Sequence, residues 1–346
     1  MILAPVPNVF YRAFEDRYRG SRELIKERLR VYLPFVTALA GLHPALPVLD
    51  LGCGRGEWLE LLFDHQIAAH GVDTDEGMLA ACRERGFSVT CKDATDHMRS
   101  LANESLLAVS GFHIAEHLPF DELQALFVQA RRVIAPGGLL ILETPNPENL
   151  LVGANNFYID PTHQRPLPSQ LLVFLAEYHG FAPIKLMRLQ EEGRLAENGP
   201  ASLYDVLGNV SPDYAVLAQV PPVSCSSSVE AEHFAGQLRQ AFDGEFGVSL
   251  LALANRFDEQ LQLKIALTAQ SYVYQATSQA NVLDLKSDLE QVKADIQEAN
   301  NDLRQIRAQT KQLKDELTSV HASYFWCITK PLRWLARLFR NGPGRR

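Results

Sequence analysis

Cysteine is scarce in this chain of 346 residues. The five present (Cys53, Cys82, Cys91, Cys225 and Cys327) are scattered, with no C-x-x-C spacing. That excludes a disulfide scaffold and a cysteine-rich zinc site, and it fits a reduced, cytoplasmic protein. No apolar run approaches the roughly 20 residues that a bilayer-spanning helix needs. The start, MILAPVPNVFYRAFEDRYRG, lacks the continuous apolar core of a signal peptide. Acid is missing from one end only. From His321 onward there are six cations (Lys330, Arg333, Arg337, Arg340, Arg345, Arg346) and no acid, although the formal net charge is −8. Everything before that end is therefore strongly acidic, which argues against nucleic acid as a partner of the globular part.

What is present is an apolar run meeting a glycine-dense turn, VLDLGCGRGEW at 48–58, followed by GVDTDEGML at 71–79. Gly52, Gly54 and Gly56 allow a tight turn and a close backbone approach to a ligand. Asp73 follows about twenty residues on, the spacing at which a carboxylate meets ribose hydroxyls. Position 57 is glutamate, so the dinucleotide pattern G-x-G-x-x-G is broken. No G-K-[ST] follows, so no triphosphate cradle is visible. The form LDLGCGRG resembles motif I of the class I S-adenosylmethionine (SAM) methyltransferases. GVDTDEGM, CKDATD, FHIAEHL and PGGLLILETPNP follow in that family's order and spacing.

Strand patterns fall at 46–51, 69–73, 87–91, 106–112, 138–143, 182–189 and 213–220, and helix patterns at 56–66, 75–85, 120–134 and 168–179. This alternation predicts an α/β fold, a Rossmann-like sheet with helices on both faces. Pro136-Gly137-Gly138 is expected to end one helix and begin the fifth strand. The last two strands resemble the antiparallel hairpin that closes the class I methyltransferase sheet. The expected divisions are a helical arm (1–45), the methyltransferase domain (46–220), a linker and helical region (221–281), a coiled coil (282–320) and a basic tail (321–346).

The resemblance implies a cofactor site for SAM. Asp50 orients the glycine loop, Asp73 accepts from the ribose, and Asp93 with Ala94 lies on the adenine side. In the arm, Arg17, Arg19 and Arg22 are candidates to meet the SAM carboxylate in a bidentate pair, and Arg22 is preferred. FHIAEHLP (112–119) follows the fourth strand and faces the sulfonium and the acceptor in this family. Its match to the H-x-x-E-H metalloprotease pattern is a decoy, because that motif needs a long helix. Glu116 and His117, with His113 less favoured, form a base with its orienting acid or bind a divalent cation. NNFYIDPTHQRPLP (155–168) is a polar loop of the kind that binds substrate over a sheet's carboxyl end. His163 is its catalytic candidate, and Tyr158 and Arg165 are its substrate-binding candidates.

From Val282 the spacing becomes strictly three-four. Val282, Leu289, Ile296, Leu303, Thr310 and Leu317 occupy heptad position a; Leu285, Val292, Ala299, Ile306, Leu313 and Val320 occupy d. The pattern predicts a coiled coil. Lys286, Lys293, Arg307 and Lys314 at e oppose Asp288, Asp295, Asp302 and Glu316 at g, which specifies a parallel homo-oligomer of two or three strands. The tail, SYFWCITKPLRWLARLFRNGPGRR, puts Leu332, Leu335, Leu338 and Phe339 on one face and arginines largely opposite. It reads as a helix lying on an anionic membrane surface. The set of arm, methyltransferase motifs, DPTHQRPLP, rod and tail resembles bacterial methyltransferases that terminate O-antigen and other surface polysaccharides. No kinase glycine loop, H-R-D or D-F-G accompanies it. The resemblance implies O-methylation at a glycan end, directly on a sugar hydroxyl or on a phosphate made elsewhere, length control by the rod, and residence on the cytoplasmic face of the inner membrane. It also implies contact with glycosyltransferases through the tail. Two other readings compete: a methyltransferase for a small lipid-like acceptor, and a non-enzymatic membrane scaffold for a glycosyltransferase.

Overall fold

The structure is a computed structural model, and it describes residues 17–222, 229–244, 246–278 and 282–322. The expected membrane-binding tail lies outside these residues, apart from its first two positions. The chain divides into two compact units, Met1–Leu261 and Gln262–Arg346.

The first unit is built on one seven-stranded sheet: β1 (Val48–Leu51), β2 (Ala69–Asp73), β3 (Val89–Cys91), β4 (Leu106–Phe112), β5 (Ile134–Pro145), β6 (Ile184–Leu189) and β7 (Asp213–Gln219). The order is β3-β2-β1-β4-β5-β7-β6. The β3–β2, β2–β1, β1–β4 and β4–β5 pairs are parallel, while β7 runs antiparallel between β5 and β6. This is the Rossmann-like methyltransferase arrangement. The parallel strands are buried on both faces, so they read as continuous apolar runs.

Helices α1 (Arg22–Leu29), α2 (Leu33–Leu42), α3 (Glu57–Asp64), α4 (Glu76–Glu84), α5 (Ala94–Arg99), α6 (Phe120–Val133), α7 (Leu150–Ala154) and α8 (Ser169–Tyr178) surround the sheet. On one face, Leu123, Leu126 and Phe127 of α6 and Leu172 and Leu175 of α8 belong to the same core as Leu49, Leu51, Val109, Leu140 and Val216. On the other, Phe35, Val36 and Leu39 of α2 and Trp58, Leu61 and Leu62 of α3 join Val48, Leu139, Ile141 and Leu217. Alternate residues of β5 and β7 thus face opposite cores, as a period of two requires. The arm is tied in by aromatics. Trp58 stands edge-on to Phe112 at 5.6 Å and to Tyr32 at 6.3 Å. Burying an aromatic of this size contributes about 3 kcal/mol.

The structure adds α5 and α7 to the helices expected from the sequence, and two further details differ. β5 begins at Ile134, directly after α6, because Pro136-Gly137-Gly138 lies within the strand. The pairing with β4 shifts register between Leu106 and Ala108 to accommodate the turn. The stretch between β6 and β7, read as unpatterned, holds two short helices, α9 (Gly193–Ala196) and α10 (Leu203–Gly208). Ser202 and Asp205 form a capping box at the start of α10.

The chain also returns to the sheet after β7. In α11 (Val229–Phe242), Leu238 enters the α2 core, and Phe242 meets Phe35 edge-on at 5.6 Å. Lys185 of β6 donates from Nζ to the carbonyls of Phe242, Asp243 and Gly244 at 3.2, 2.9 and 2.8 Å, satisfying carbonyls that a helix end leaves unpaired. Phe246 then bridges to Met187, and its carbonyl accepts from the Arg188 amide at 2.9 Å.

The helix α12 (Leu250–Ser278) leads into the second unit, which carries α13 (Val282–Ala322), a helix of 41 residues. Ile306 and Leu313, two d-position residues of α13, are 58% and 63% exposed. No helix among the described residues is long and apolar enough to cross a membrane.

Candidate active site

A cleft of about 740 Å³ opens at the carboxyl ends of the central strands, lined from Asp50, Asp73 and Asp93 at one end to Glu143, His163 and Asp213 at the other. At the first end the β1–α3 turn carries Gly52, Gly54 and Gly56 with φ of 63°, 48° and 76°. These are left-handed conformations that side chains disfavour. At Gly56 a Cβ would also lie 2.9 Å from Cys82 Sγ, so α3 could not start where it does. Asp73 holds the turn. Its Oδ2 accepts from the Gly54 amide at 2.9 Å and its Oδ1 from the Asp75 amide at 2.8 Å. A carboxylate offers about four lone-pair directions, so two remain for a ligand's hydroxyls. Asp50 is buried beneath the turn, and Ser110 Oγ donates to its Oδ1 at 2.8 Å. Burial pushes Asp50 up to about 8, against the pull of Ser110 and Arg19.

Asp93 lines the cleft, yet its Oδ1 also caps α5, accepting from the Asp96 amide at 2.9 Å. Ala94 and Met78 supply apolar wall beside it. A hydroxyl-accepting acid, a turn with glycine at three of its five positions and an apolar wall fit the ribose and adenine of SAM.

The arm assigns its arginines differently from the sequence expectation. Arg22, the preferred carboxylate partner, is not among the lining residues. Its guanidinium pairs with Glu60 at 2.6 Å and Glu57 at 3.5 Å and donates to the Arg55 carbonyl, fixing α1 against α3. Arg19, three residues earlier, lines the cleft instead. The Cβ position of Gly54 would lie 3.5 Å from its Nη1.

At the far end, the β4 loop and the 155–165 loop meet. His113 has a φ of 58° and points among carboxylates, with Nδ1 3.1 Å from Glu116 Oε1 and Nε2 3.4 Å from Glu143 Oε1. Burial opposes its charging, but Asp213, Glu116 and Glu143 outweigh it and hold its pKa well above the ordinary imidazole value. Glu116 is fully buried, and Thr144 Oγ1 donates to its Oε2 at 2.9 Å. Burial would raise its pKa, but the hydrogen bond and charge of His113 bring it below the usual carboxylate range. His117 and His163 stand with ring centroids 4.7 Å apart. His117 is pulled below its ordinary value, first by burial. Burial pushes Asp213 up to about 6, against the pull of His113.

The substrate-binding candidates fall elsewhere. Tyr158 is 62% exposed, lies edge-on to Phe157 at 5.4 Å and does not line the cleft. Arg165 stacks over the Phe120 ring at 4.7 Å, also outside the lining. The same loop contributes Asn156, Ile159, Asp160 and Thr162 in their place. Glu143 and Asp213 were not singled out by sequence. An acid inside the apolar run LLILETP was the available signal for Glu143. Asp213 reaches the site because β7 is antiparallel, pairing Asp213 with Pro145 at the end of β5.

Residues 48–138 match a family model described as "Methyltransferase domain". The chain is 34% identical over 135 residues to a probable S-adenosylmethionine-dependent methyltransferase of Mycolicibacterium smegmatis, covering 39% of this chain and 51% of that protein. It is 33% identical over 120 residues to a trans-aconitate 2-methyltransferase of Acidovorax sp., covering 33% and 44%. It thus spans about half the length of the curated relatives it matches. A crystal structure of a SAM-dependent methyltransferase from Archaeoglobus fulgidus is 34% identical, with a TM-score of 0.53, and the match covers 61% of this chain and 99% of that one. The chain belongs to the SAM-dependent methyltransferases.

Proposed function

We propose that the protein transfers a methyl group from SAM to a hydroxyl of a neutral, polyhydroxylated acceptor, a sugar at the end of a bacterial surface polysaccharide. The observation that carries this reading is the chemistry of the far end of the cleft. Glu143, Asp160 and Asp213 line it together with Gln190, His113 and His117. Carboxylates and amides accept or donate hydrogen bonds to several hydroxyls at once. Among the lining residues near them the cations are Arg28 and His113, and His113 is already held between Glu116 and Glu143. A tricarboxylate such as trans-aconitate would meet like charge there, so the name of that relative's substrate does not transfer.

Bound SAM supplies an electrophilic methyl on a sulfonium. The chain's residues place the acceptor oxygen against it. The new oxygen–carbon bond forms as the carbon–sulfur bond breaks, and the electron pair stays on sulfur. The hydroxyl proton leaves on the Glu116–His117–His163 side of the cleft. Most of the acceleration is then positioning and proton removal.

The exposed seam of α13 supports the remainder of the reading. Ile306 and Leu313 stand in solvent at heptad spacing, and burying them against a second chain is favourable. A parallel dimer or trimer would gather the basic tails at one end, where several weak membrane contacts add up. The test is incubation of the full chain with labelled SAM and either defined oligosaccharides or trans-aconitate. Label in an oligosaccharide as a base-stable ether supports the proposal. Label in trans-aconitate alone overturns it.

A further inference from the structure

We propose that Glu116, His117 and His163 form a divalent-cation site of two imidazole nitrogens and one carboxylate. One ligand atom from each lies within 4.8 Å of the others. The sequence suggested a cation among the side chains of the 113–117 loop; the fold instead draws the second imidazole from the 155–165 loop.

The hydrogen bonds behind the three groups decide what they present to one another. His163 Nδ1 lies 2.6 Å from the Phe157 carbonyl, which can only accept, so this nitrogen carries the proton. Its Nε2 is left with a lone pair, 4.0 Å from Glu116 Oε1 and 3.8 Å from Asp160 Oδ2. His117 Nδ1 lies 2.9 Å from Thr162 Oγ1. The single hydroxyl proton of Thr162 goes to Asp160 Oδ1 at 2.6 Å, so towards His117 the oxygen accepts. His117 therefore also carries its proton on Nδ1 and presents an Nε2 lone pair. Glu116 is held on both oxygens, by His113 at 3.1 Å and Thr144 at 2.9 Å.

A ring nitrogen of each histidine and a Glu116 oxygen thus lie together, and the Nε2 of each ring carries no proton. A spacing of 4.0 Å is too long for a hydrogen bond. Two donors each about 2.1 Å from a shared tetrahedral ion stand about 3.4 Å apart, so an ion would draw this pair together by about half an ångström. The outer hydrogen bonds are those that fix the tautomer and orientation of metal-ligating histidines. Two imidazoles with one carboxylate select Mn²⁺, Fe²⁺, Co²⁺ or Zn²⁺ over Mg²⁺ and Ca²⁺. Three protein ligands leave positions open to the cleft, where an acceptor's oxygen can bind and become more acidic. That last role rests on the hydroxyl-acceptor reading, whereas the site itself does not.

The experiment therefore measures binding without any acceptor. Chelator-treated full chain is titrated with Mn²⁺, Co²⁺ and Zn²⁺ by calorimetry, and with Mn²⁺ by electron paramagnetic resonance. One ion per chain is expected. His117→Ala and His163→Ala should each weaken binding at least tenfold, and Thr162→Val about tenfold, since second partners matter to that extent. S-adenosylhomocysteine affinity is measured on every variant to verify an intact cleft. Where an alanine variant loses it, the glutamine variant at that position takes its place. No ion bound by the wild type, or binding unchanged in both folded histidine variants, overturns the proposal. A wild type that binds the ion yet methylates no oligosaccharide would overturn the acceptor reading alone.

Discussion

Replacing Asp73 by alanine separates two jobs that one carboxylate performs. The structure gives each oxygen one backbone donor, Gly54 at 2.9 Å and Asp75 at 2.8 Å, and leaves about two lone-pair directions for the ribose diol. Hydrogen bonds to a charged acceptor contribute about 1.5–3 kcal/mol each, and the half-exposed position of Asp73 puts both at the low end. The loss of SAM binding should therefore be about 2–4 kcal/mol, roughly a 30- to 1,000-fold rise in Kd. The turn itself also loses an acceptor for two amides, so the ligand-free variant should be less stable by about 1–3 kcal/mol. Calorimetry with S-adenosylhomocysteine reads the first effect, and denaturant unfolding without ligand reads the second. Unchanged affinity in a folded variant would refute the placement of the ribose. A stability loss without an affinity loss would make Asp73 a clasp of the turn and nothing more.

Arg19→Ala should raise the Kd for S-adenosylhomocysteine several-fold with little change in melting, whereas Arg22→Ala should lower the melting temperature and leave affinity nearly intact. The reverse pattern in calorimetry and thermal melts would restore Arg22 as the carboxylate partner. For Asp50, burial raises the folded pKa above the unfolded value, so the stability linked to its proton is fully present below about 4 and is lost as pH rises through about 8. Asp50→Asn removes that loss: its stability relative to wild type, from unfolding curves, should climb by about 1.4 kcal/mol per pH unit between about pH 4 and pH 8 and stay flat above pH 8. Deleting whole heptads between Leu289 and Leu313 should shorten the polysaccharide made by cells carrying the variant and adding heptads should lengthen it; constant length in variants that stay oligomeric and membrane-bound would reduce the rod to an assembly device.

The glycine turn, the parallel strands and the acid after β2 were legible because each is set by local rules: apolar runs of strand length, left-handed turns and fixed spacing. The phase of the arm was not. Arg17, Arg19 and Arg22 look alike until the docking of α1 on Glu57 and Glu60 decides which one faces the cleft. His113 was undervalued for a similar reason. Its importance comes from Glu143 and Asp213, and Asp213 is some hundred residues distant in sequence, brought in by an antiparallel strand that periodicity locates but does not orient. Tyr158 and Arg165 had suitable chemistry in the right loop. Their directions depend on where Phe157 and Phe120 pack, and no local pattern shows that.

β6 is the last strand of its sheet, and a bare outer strand is a template on which a second molecule can add its own. Here the chain covers it with its own backbone at Phe246, and Lys185 anchors the helix end that delivers the strap. The fit admits only glycine next in line: at Gly247 φ is 78°, and a Cβ would lie 2.0 Å from the Arg188 carbonyl oxygen. At the opposite side β3 has three residues, too short to recruit a partner firmly. Copies of this chain at high concentration therefore find little free edge along which to add a strand.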